Sequence, residues 1–116
     1  MKRSTRVLII DDDQDLCFLL KNILTTKVEE VEIASTLEEG KELLSKEQPD
    51  VVFLDNNLPD GQGVTYIPHF KSLAPEAKII LISAMPNAKD KALAHGADAF
   101  VEKPIVLATL NQFFTV

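Results

Sequence analysis

Residues 7–15 read "VLIIDDDQD", a run of four apolar residues followed by four carboxylates within five positions. A short continuous apolar run is typical of a strand buried on both faces, as in parallel sheets covered by helices on each side. Carboxylates packed this closely repel one another unless a cation lies among them. The cluster therefore indicates either a metal site or the N-terminus of a helix, where Asp12 or Asp13 would act as the cap.

The spacing of Asp11, Asp13 and Asp15 is also that of a calcium-binding EF-hand loop. Such a loop needs glycine at its sixth position, for the turn, and glutamate at its twelfth, as a bidentate ligand. The chain has Leu16 and Asn22 at those positions. The sequence therefore excludes an EF-hand.

Composition limits the fold and the classes of partner. A chain of 116 residues with 46% hydrophobic content predicts one domain, residues 1–116. The 18 acidic and 12 basic residues give a net charge of −6, which argues against direct binding to nucleic acid or to an anionic membrane. A single cysteine, Cys17, fits a reducing compartment. Neither a signal peptide nor a membrane span is recognisable, so we expect a cytoplasmic protein.

Three more apolar runs indicate strands at residues 51–54, 79–82 and 99–101, and the alternating residues 31–34 indicate a fifth, weaker one. The segments between the strands carry helical spacing of apolar residues. The predicted helices are one with a stripe from Leu16 to Leu24, one after a capping box at Ser35–Glu38 or Thr36–Glu39, one with a stripe from Val64 to Phe70, and two at 88–95 and 106–114. Such alternation predicts five βα units in a doubly wound α/β fold with a parallel sheet and right-handed crossovers.

Polar residues follow the predicted strands. Asp11 and Asp12 follow the first strand, Asp55 the third, Ser83 the fourth and Lys103 the last. In doubly wound sheets, ligands bind at the carboxyl ends of the strands. Carboxylates there could hold Mg²⁺, and one of them could attack phosphorus. The hydroxyl and the ammonium group would neutralise phosphoryl oxygens. The sequence therefore predicts a magnesium and phosphoryl site.

The motifs "LIIDDD", "VVFLDNNLPDG", "IILISA" and "GADAFVEKP" resemble those of receiver domains of two-component response regulators, and the resemblance runs from end to end. It implies a flavodoxin-like (βα)5 fold whose five-stranded parallel sheet has the order 2-1-3-4-5. Asp55 matches the phosphoacceptor. Asp11 and Asp12 match the acid pair that holds Mg²⁺ with Asp55, and Asn57 matches the residue that gives its main-chain carbonyl to the ion.

The resemblance also implies a phosphoryl-binding and switch set. Its members are Ser83, its neighbour Ala84, the switch aromatic Phe100, and Lys103, whose bond to Pro104 is similar to one that is cis in the family. We assign Asp13 and Asp15 to the first turn of the first helix. Gly61 and Gly63 are expected to serve turn geometry.

The implied function is a phosphorylation-dependent signalling switch. A sensor histidine kinase or histidine phosphotransfer protein would supply the phosphoryl group, and a downstream protein or a missing effector domain would receive the signal. The chain would not be an enzyme beyond transferring phosphoryl to its own Asp55 and slowly losing it. Because the short fourth helix carries Lys89, Asp90 and Lys91 and few apolar residues besides Leu93, we expect a monomer.

Two other functions compete with the switch. An Asp-nucleophile phosphatase of the DxD type could use Asp11 and Asp13, but such enzymes usually have Thr or Val where this chain has Asp15, and they need a cap domain. A flavin-binding module of the same architecture needs a Ser/Thr/Gly phosphate loop after the first strand. The carboxylates at that place would repel phosphate unless a cation intervened.

Overall fold

The computed structural model of the chain describes residues 5–114, so the ends of the predicted domain 1–116 lie outside the described residues. Five strands form a parallel sheet in the order β2-β1-β3-β4-β5, which confirms the predicted fold and strand order. The strands are β1 (Arg6–Ile10), β2 (Glu30–Ala34), β3 (Val51–Asp55), β4 (Lys78–Ser83) and β5 (Ala99–Glu102).

The five predicted helices lie between and after the strands. They are α1 (Gln14–Leu24), α2 (Leu37–Glu47), α3 (Gly63–Leu73), α4 (Ala88–Ala94) and α5 (Leu107–Phe113). Helix α4 has only seven residues, in agreement with the short helix predicted at 88–95. Within residues 5–114, no helix combines the length and the apolar character that crossing a membrane requires.

The sheet has a hydrophobic core on each face. Leu8 and Val52 belong to the core on the side of α2, α3 and α4, whereas Val7 and Val51 belong to the core on the side of α1 and α5. Successive side chains of a strand point to opposite faces, so both faces require apolar residues. This explains why β1, β3 and β4 contain continuous apolar runs in the sequence, whereas the edge strand β2 alternates apolar and charged residues.

Side-chain caps fix where the first two helices begin. Asp13 caps α1 by accepting a hydrogen bond from the Leu16 N–H at 3.1 Å. Thr36 caps α2 by accepting from the Glu39 N–H at 3.1 Å, so the first bond of the predicted Thr36–Glu39 capping box forms. The carboxylate of Glu39 accepts from the Ser35 N–H at 2.7 Å. Among the clustered aspartates, the cap is thus Asp13, and Asp12 is left for another role.

A short antiparallel hairpin separates β3 from α3. Asn57–Leu58 pairs with Gly61–Gln62, and we refer to this element as the 57–62 hairpin. Gly61 has a φ of 149°, a conformation that residues with a side chain rarely adopt. The hairpin follows directly from the carboxyl end of β3 and so lies beside the edge where the site was predicted.

Candidate functional site

Three carboxylates meet at the carboxyl edge of the sheet. Asp11 follows β1 and Asp55 ends β3, and these two strands are hydrogen-bonded neighbours. Oxygen atoms of Asp11, Asp12 and Asp55 all lie within 4.8 Å of one another. Asp11 and Asp55 are buried, whereas Asp12 is exposed. The fold therefore brings together the three acids that the sequence singled out.

Asp11 carries an oxygen that lacks a hydrogen bond. Its Oδ1 accepts from the Asp13 N–H at 2.9 Å, but the buried Oδ2 has no hydrogen-bond partner among residues 5–114. Burial, and then the charges of Asp55 and Asp12, raise the pKa of Asp11 to about 6, although the Asp13 N–H and Lys103 act in the opposite direction. A buried carboxylate oxygen without a hydrogen-bond partner is a suitable ligand for a hard cation.

Lys103 supplies a positive charge beside the carboxylates. Its Nζ lies 3.1 Å from Oδ1 of Asp55 and 3.9 Å from Oδ2 of Asp11. The Lys103 N–H donates to the Ser83 carbonyl at 2.9 Å, and the Lys103–Pro104 peptide bond is cis. Burial by itself lowers the pKa of Lys103, but the hydrogen bond and charge of Asp55 outweigh it and the net pKa is raised. Lys103 therefore remains an ammonium ion next to Asp55.

The carboxylate of Asp55 opens into a small cavity of about 230 Å³. Ser83, the buried last residue of β4, is in its wall, and the Ser83 Oγ accepts from the Met85 N–H at 3.0 Å. Because that bond uses only a lone pair, the hydroxyl hydrogen can still be donated to a ligand. The cavity is lined by Asp55, Asn56, Asn57, Gln62, Ser83, Ala84, Met85 and Lys103.

Phe100 lies apart from this cavity. It is half-buried in β5, opposite Leu81 of β4, and packs against the core on the side of α2, α3 and α4. The structure thus groups the predicted phosphoryl-binding residues around Asp55 and places the predicted switch aromatic at a distance from them, on a neighbouring strand.

Asn56 is a site-building residue that the sequence did not reveal. Its N–H donates to the Ile82 carbonyl at 2.9 Å, and its own carbonyl accepts from the Gly63 N–H at 3.0 Å. Its Oδ1 accepts from the Val64 N–H at 3.0 Å, so Asn56 serves the first turn of α3, where Gln62 makes no side-chain cap. These bonds fix the backbone immediately after Asp55. Since the asparagine is eight residues from its partner, no local capping pattern signals it.

Gly63 has a different role from the predicted one. A Cβ atom at this position would lie 2.5 Å from the Asp55 carbonyl oxygen and 2.9 Å from Leu54 Cγ. Gly61 adopts a positive φ, as a turn role requires, whereas Gly63 is required because α3 begins in close contact with the end of β3. The prediction of turn geometry was correct for Gly61 and wrong for Gly63.

The chain matches a family model. The model described as the response regulator receiver domain matches residues 7–115. The chain belongs to this family. It is 35% identical over 116 residues to the chemotaxis protein CheY of Thermotoga maritima, an alignment that covers 92% of this chain and 95% of that protein. A solved structure of a two-component response regulator from Clostridium difficile is 29% identical and has a TM-score of 0.88, with 94% of this chain and 91% of that chain covered.

Other relatives are longer proteins. The chain is 36% identical over 111 residues to the protein-glutamate methylesterase/protein-glutamine glutaminase of Caldanaerobacter subterraneus, covering 90% of this chain but 30% of that protein. It spans 47% of the transcriptional regulatory protein PrrA of Mycobacterium bovis. The chain thus spans between about a third and about half of the length of the first curated relatives that it matches.

Membership of the family establishes the general function. The chain is a receiver domain of two-component signalling, and receiver domains are phosphorylation-dependent switches that accept a phosphoryl group. Neither the family model nor the relatives named above support the phosphatase alternative.

Proposed function

We propose that this receiver domain accepts a phosphoryl group on Asp55 in a Mg²⁺-dependent reaction. The donor would be a phosphohistidine of a sensor histidine kinase or of a histidine phosphotransfer protein. The observation that supports the proposal best is the surroundings of Asp55. Its carboxylate lies close to two further acids and to the ammonium group of Lys103, and Asp55 lines a cavity of about 230 Å³.

The donor atoms fit magnesium. Asp11, Asp12 and Asp55 would hold the ion together with the main-chain carbonyl of Asn57, and water would complete the coordination. The buried Oδ2 of Asp11, which has no hydrogen-bond partner within the described residues, would gain a partner. When bound, the ion supplies positive charge that stabilises the phosphoryl oxygens during transfer.

The residues of the chain would carry out the rest of the transfer. A carboxylate oxygen of Asp55 attacks phosphorus, so that an O–P bond forms while the P–N bond of the donor histidine breaks and its imidazole leaves with the electron pair. Lys103 and the hydroxyl of Ser83 would each contact a phosphoryl oxygen. The small side chain of Ala84 leaves room for the donor at the wall of the cavity.

After transfer, the switch would respond to the new charge. We infer that the phosphoryl group draws the hydroxyl of Ser83 towards it and that Phe100 changes its packing, so that the surface around β5 binds a different partner. Slow attack of water on the acyl phosphate would return the domain to its first state. The recipient of the signal would be a downstream protein or an effector domain, and the cytoplasmic location remains a prediction.

Labelling by a small donor tests the proposal. With acetyl phosphate and Mg²⁺, intact-mass measurement should show one phosphoryl group that hydroxylamine removes, and Asp55→Asn should show none. Asp50→Asn is the matched control, because Asp50 lies just before the opposite end of the same strand and binds the Arg6 N–H at 2.8 Å. Equal labelling of Asp55→Asn and the unchanged protein would refute the assignment.

A further inference from the structure

The tip of the 57–62 hairpin is fastened to a helix that lies earlier in the sequence. Asp60 accepts two backbone hydrogen bonds from the start of α2, to Oδ1 from the Leu37 N–H at 2.9 Å and to Oδ2 from the Glu38 N–H at 3.1 Å. The first amides of a helix have no partner within the helix. Since the Thr36 hydroxyl accepts from the Glu39 N–H, Asp60 serves two amides that the Thr36 cap leaves unbound.

The base of the same hairpin is fixed independently. Asn56 binds the Ile82 carbonyl of β4 and the first turn of α3. Asn57 lies directly after this anchor and pairs with Gln62. The backbone that carries the proposed metal-binding carbonyl is therefore held at its base by Asn56 and at its tip by Asp60.

Gly61 allows the tip to approach α2. A Cβ atom at Gly61 would lie 3.2 Å from Leu37 Cδ1, so the backbone of the tip packs closely against the first residue of the helix. The positive φ of Gly61 turns the chain immediately after Asp60. In this pair, Asp60 accepts the two hydrogen bonds from α2, and Gly61 allows the backbone to come close enough to α2 for these bonds to form.

The charge of Asp60 suits this place. The N–H of Leu37, and after it that of Glu38, lower the pKa of Asp60, so the carboxylate is ionised at neutral pH. A negative charge at a helix N-terminus is stabilised by the helix dipole.

We propose that Asp60 is a positioning residue, which holds the hairpin against α2 so that the Asn57 carbonyl is preset for Mg²⁺. This inference rests on the proposed function, since it assumes that Asn57 binds the ion through its carbonyl. Asp60 itself does not touch the metal or the phosphoryl group. Its loss should therefore weaken Mg²⁺ binding, and saturating Mg²⁺ should restore phosphorylation.

The test is a Mg²⁺ titration followed by NMR of backbone amides, because the chain has no Trp to serve as a fluorescent probe. In Asp60→Ala the dissociation constant should rise about tenfold, the lower end of the effect of removing a partner outside the coordination shell. The dissociation constant of Asp60→Asn should lie between those of the unchanged protein and Asp60→Ala, because the asparagine amide oxygen can still accept one of the two hydrogen bonds. Asp50→Ala, which removes a carboxylate from another backbone N–H, should bind Mg²⁺ unchanged.

The following results would overturn the inference. An unchanged dissociation constant in a less stable Asp60→Ala would mean that Asp60 only caps α2. Equal losses in Asp60→Asn and Asp60→Ala would mean that the charge, rather than the hydrogen bonds, attracts the ion. If Asp60→Ala does not fold, Gly61→Ala replaces it, since the added methyl group disturbs the same contact with α2 and should also weaken binding; an unchanged constant there would equally refute the inference.

Failure of the proposed function has a different signature. Asp12→Asn would then bind Mg²⁺ as the unchanged protein does, and no acyl phosphate would form on Asp55. If Asp12→Asn loses Mg²⁺ binding while Asp60→Ala does not, the proposed function stands and only the role of Asp60 is refuted.

Discussion

Replacing Asp11 by asparagine should stabilise the metal-free protein at neutral pH. Burial, followed by the charges of Asp55 and Asp12, raises the pKa of Asp11 from 3.8 to about 6. One pKa unit corresponds to about 1.4 kcal/mol, so the shift of about two units makes ionised Asp11 cost at most about 3 kcal/mol. Asparagine has nearly the same shape without the charge, and its oxygen can still accept from the Asp13 N–H. A gain of about 3 kcal/mol would raise Tm by about 10 °C in a domain of this size.

The pH dependence gives the sign of this effect. Because the folded state binds the Asp11 proton more tightly than the unfolded chain does, the contribution of Asp11 is fully present below about pH 4 and is lost as pH rises through about 6. The free energy of unfolding of the unchanged protein should therefore fall, relative to that of Asp11→Asn, between about pH 4 and pH 6. The two proteins should be nearly equal in stability at pH 4 and differ most above pH 7.

Urea unfolding followed by circular dichroism, in EDTA and at several pH values from about 4 to 8, measures the difference. Glu76→Gln, which neutralises an exposed acid just before β4, is the control and should show no such trend. A difference between Asp11→Asn and the unchanged protein that does not vary with pH would refute the reasoning, as would lower stability of Asp11→Asn at pH 7. Mg²⁺ at ten times its dissociation constant should stabilise the unchanged protein by about 1.4 kcal/mol and Asp11→Asn by less.

Three further predictions concern the metal, the acceptor strand and the oligomeric state. Removing the carboxylate of Asp12 should weaken Mg²⁺ binding in NMR titrations, whereas Asp15→Asn should have little effect, since Asp15 belongs to the first turn of α1; equal losses would show that the site is misplaced. Gly63→Ala should destabilise the domain by about 1–3 kcal/mol in thermal unfolding and slow labelling of Asp55, because its methyl group would press on the Asp55 carbonyl; unchanged stability would show that the contact relaxes without cost. Light scattering behind size exclusion should give a monomer with and without beryllofluoride and Mg²⁺, because α4 exposes little apolar surface besides Leu93, and a doubling of mass on activation would contradict this.

The fold could be predicted because its signals are local. The strands inside the sheet bury both faces, so their residues form a continuous apolar run such as 51–54, and each helix shows its own periodicity. The parallel arrangement then places every strand end at one edge, which made Asp55, Ser83 and Lys103 predictable neighbours although they are far apart in the chain. The strand order came from the family resemblance.

The acidic cluster shows where local signals stop. From the sequence, a metal site and a helix cap explained the same aspartates equally well, since both favour several carboxylates after a strand. The family resemblance divided them between the two roles, and the structure identifies Asp13 as the cap. Asp13 points its carboxylate at the Leu16 N–H, whereas Asp11 and Asp12 face Asp55.

The residues that hold the site in place were beyond prediction for a physical reason. Periodicity and capping patterns report contacts within about one helical turn. Asp60, however, binds amides 22 and 23 residues away. The distance of Gly63 from the Asp55 carbonyl depends on how α3 packs against β3. In a parallel sheet every neighbouring strand is reached through a crossover, so a site at the strand ends can take supports from distant segments, as it does from Asp60 at α2. The chemical groups at such a site can therefore be predicted from the sequence, because they follow the predicted strands. The residues that set the geometry of these groups can be identified only from the three-dimensional structure.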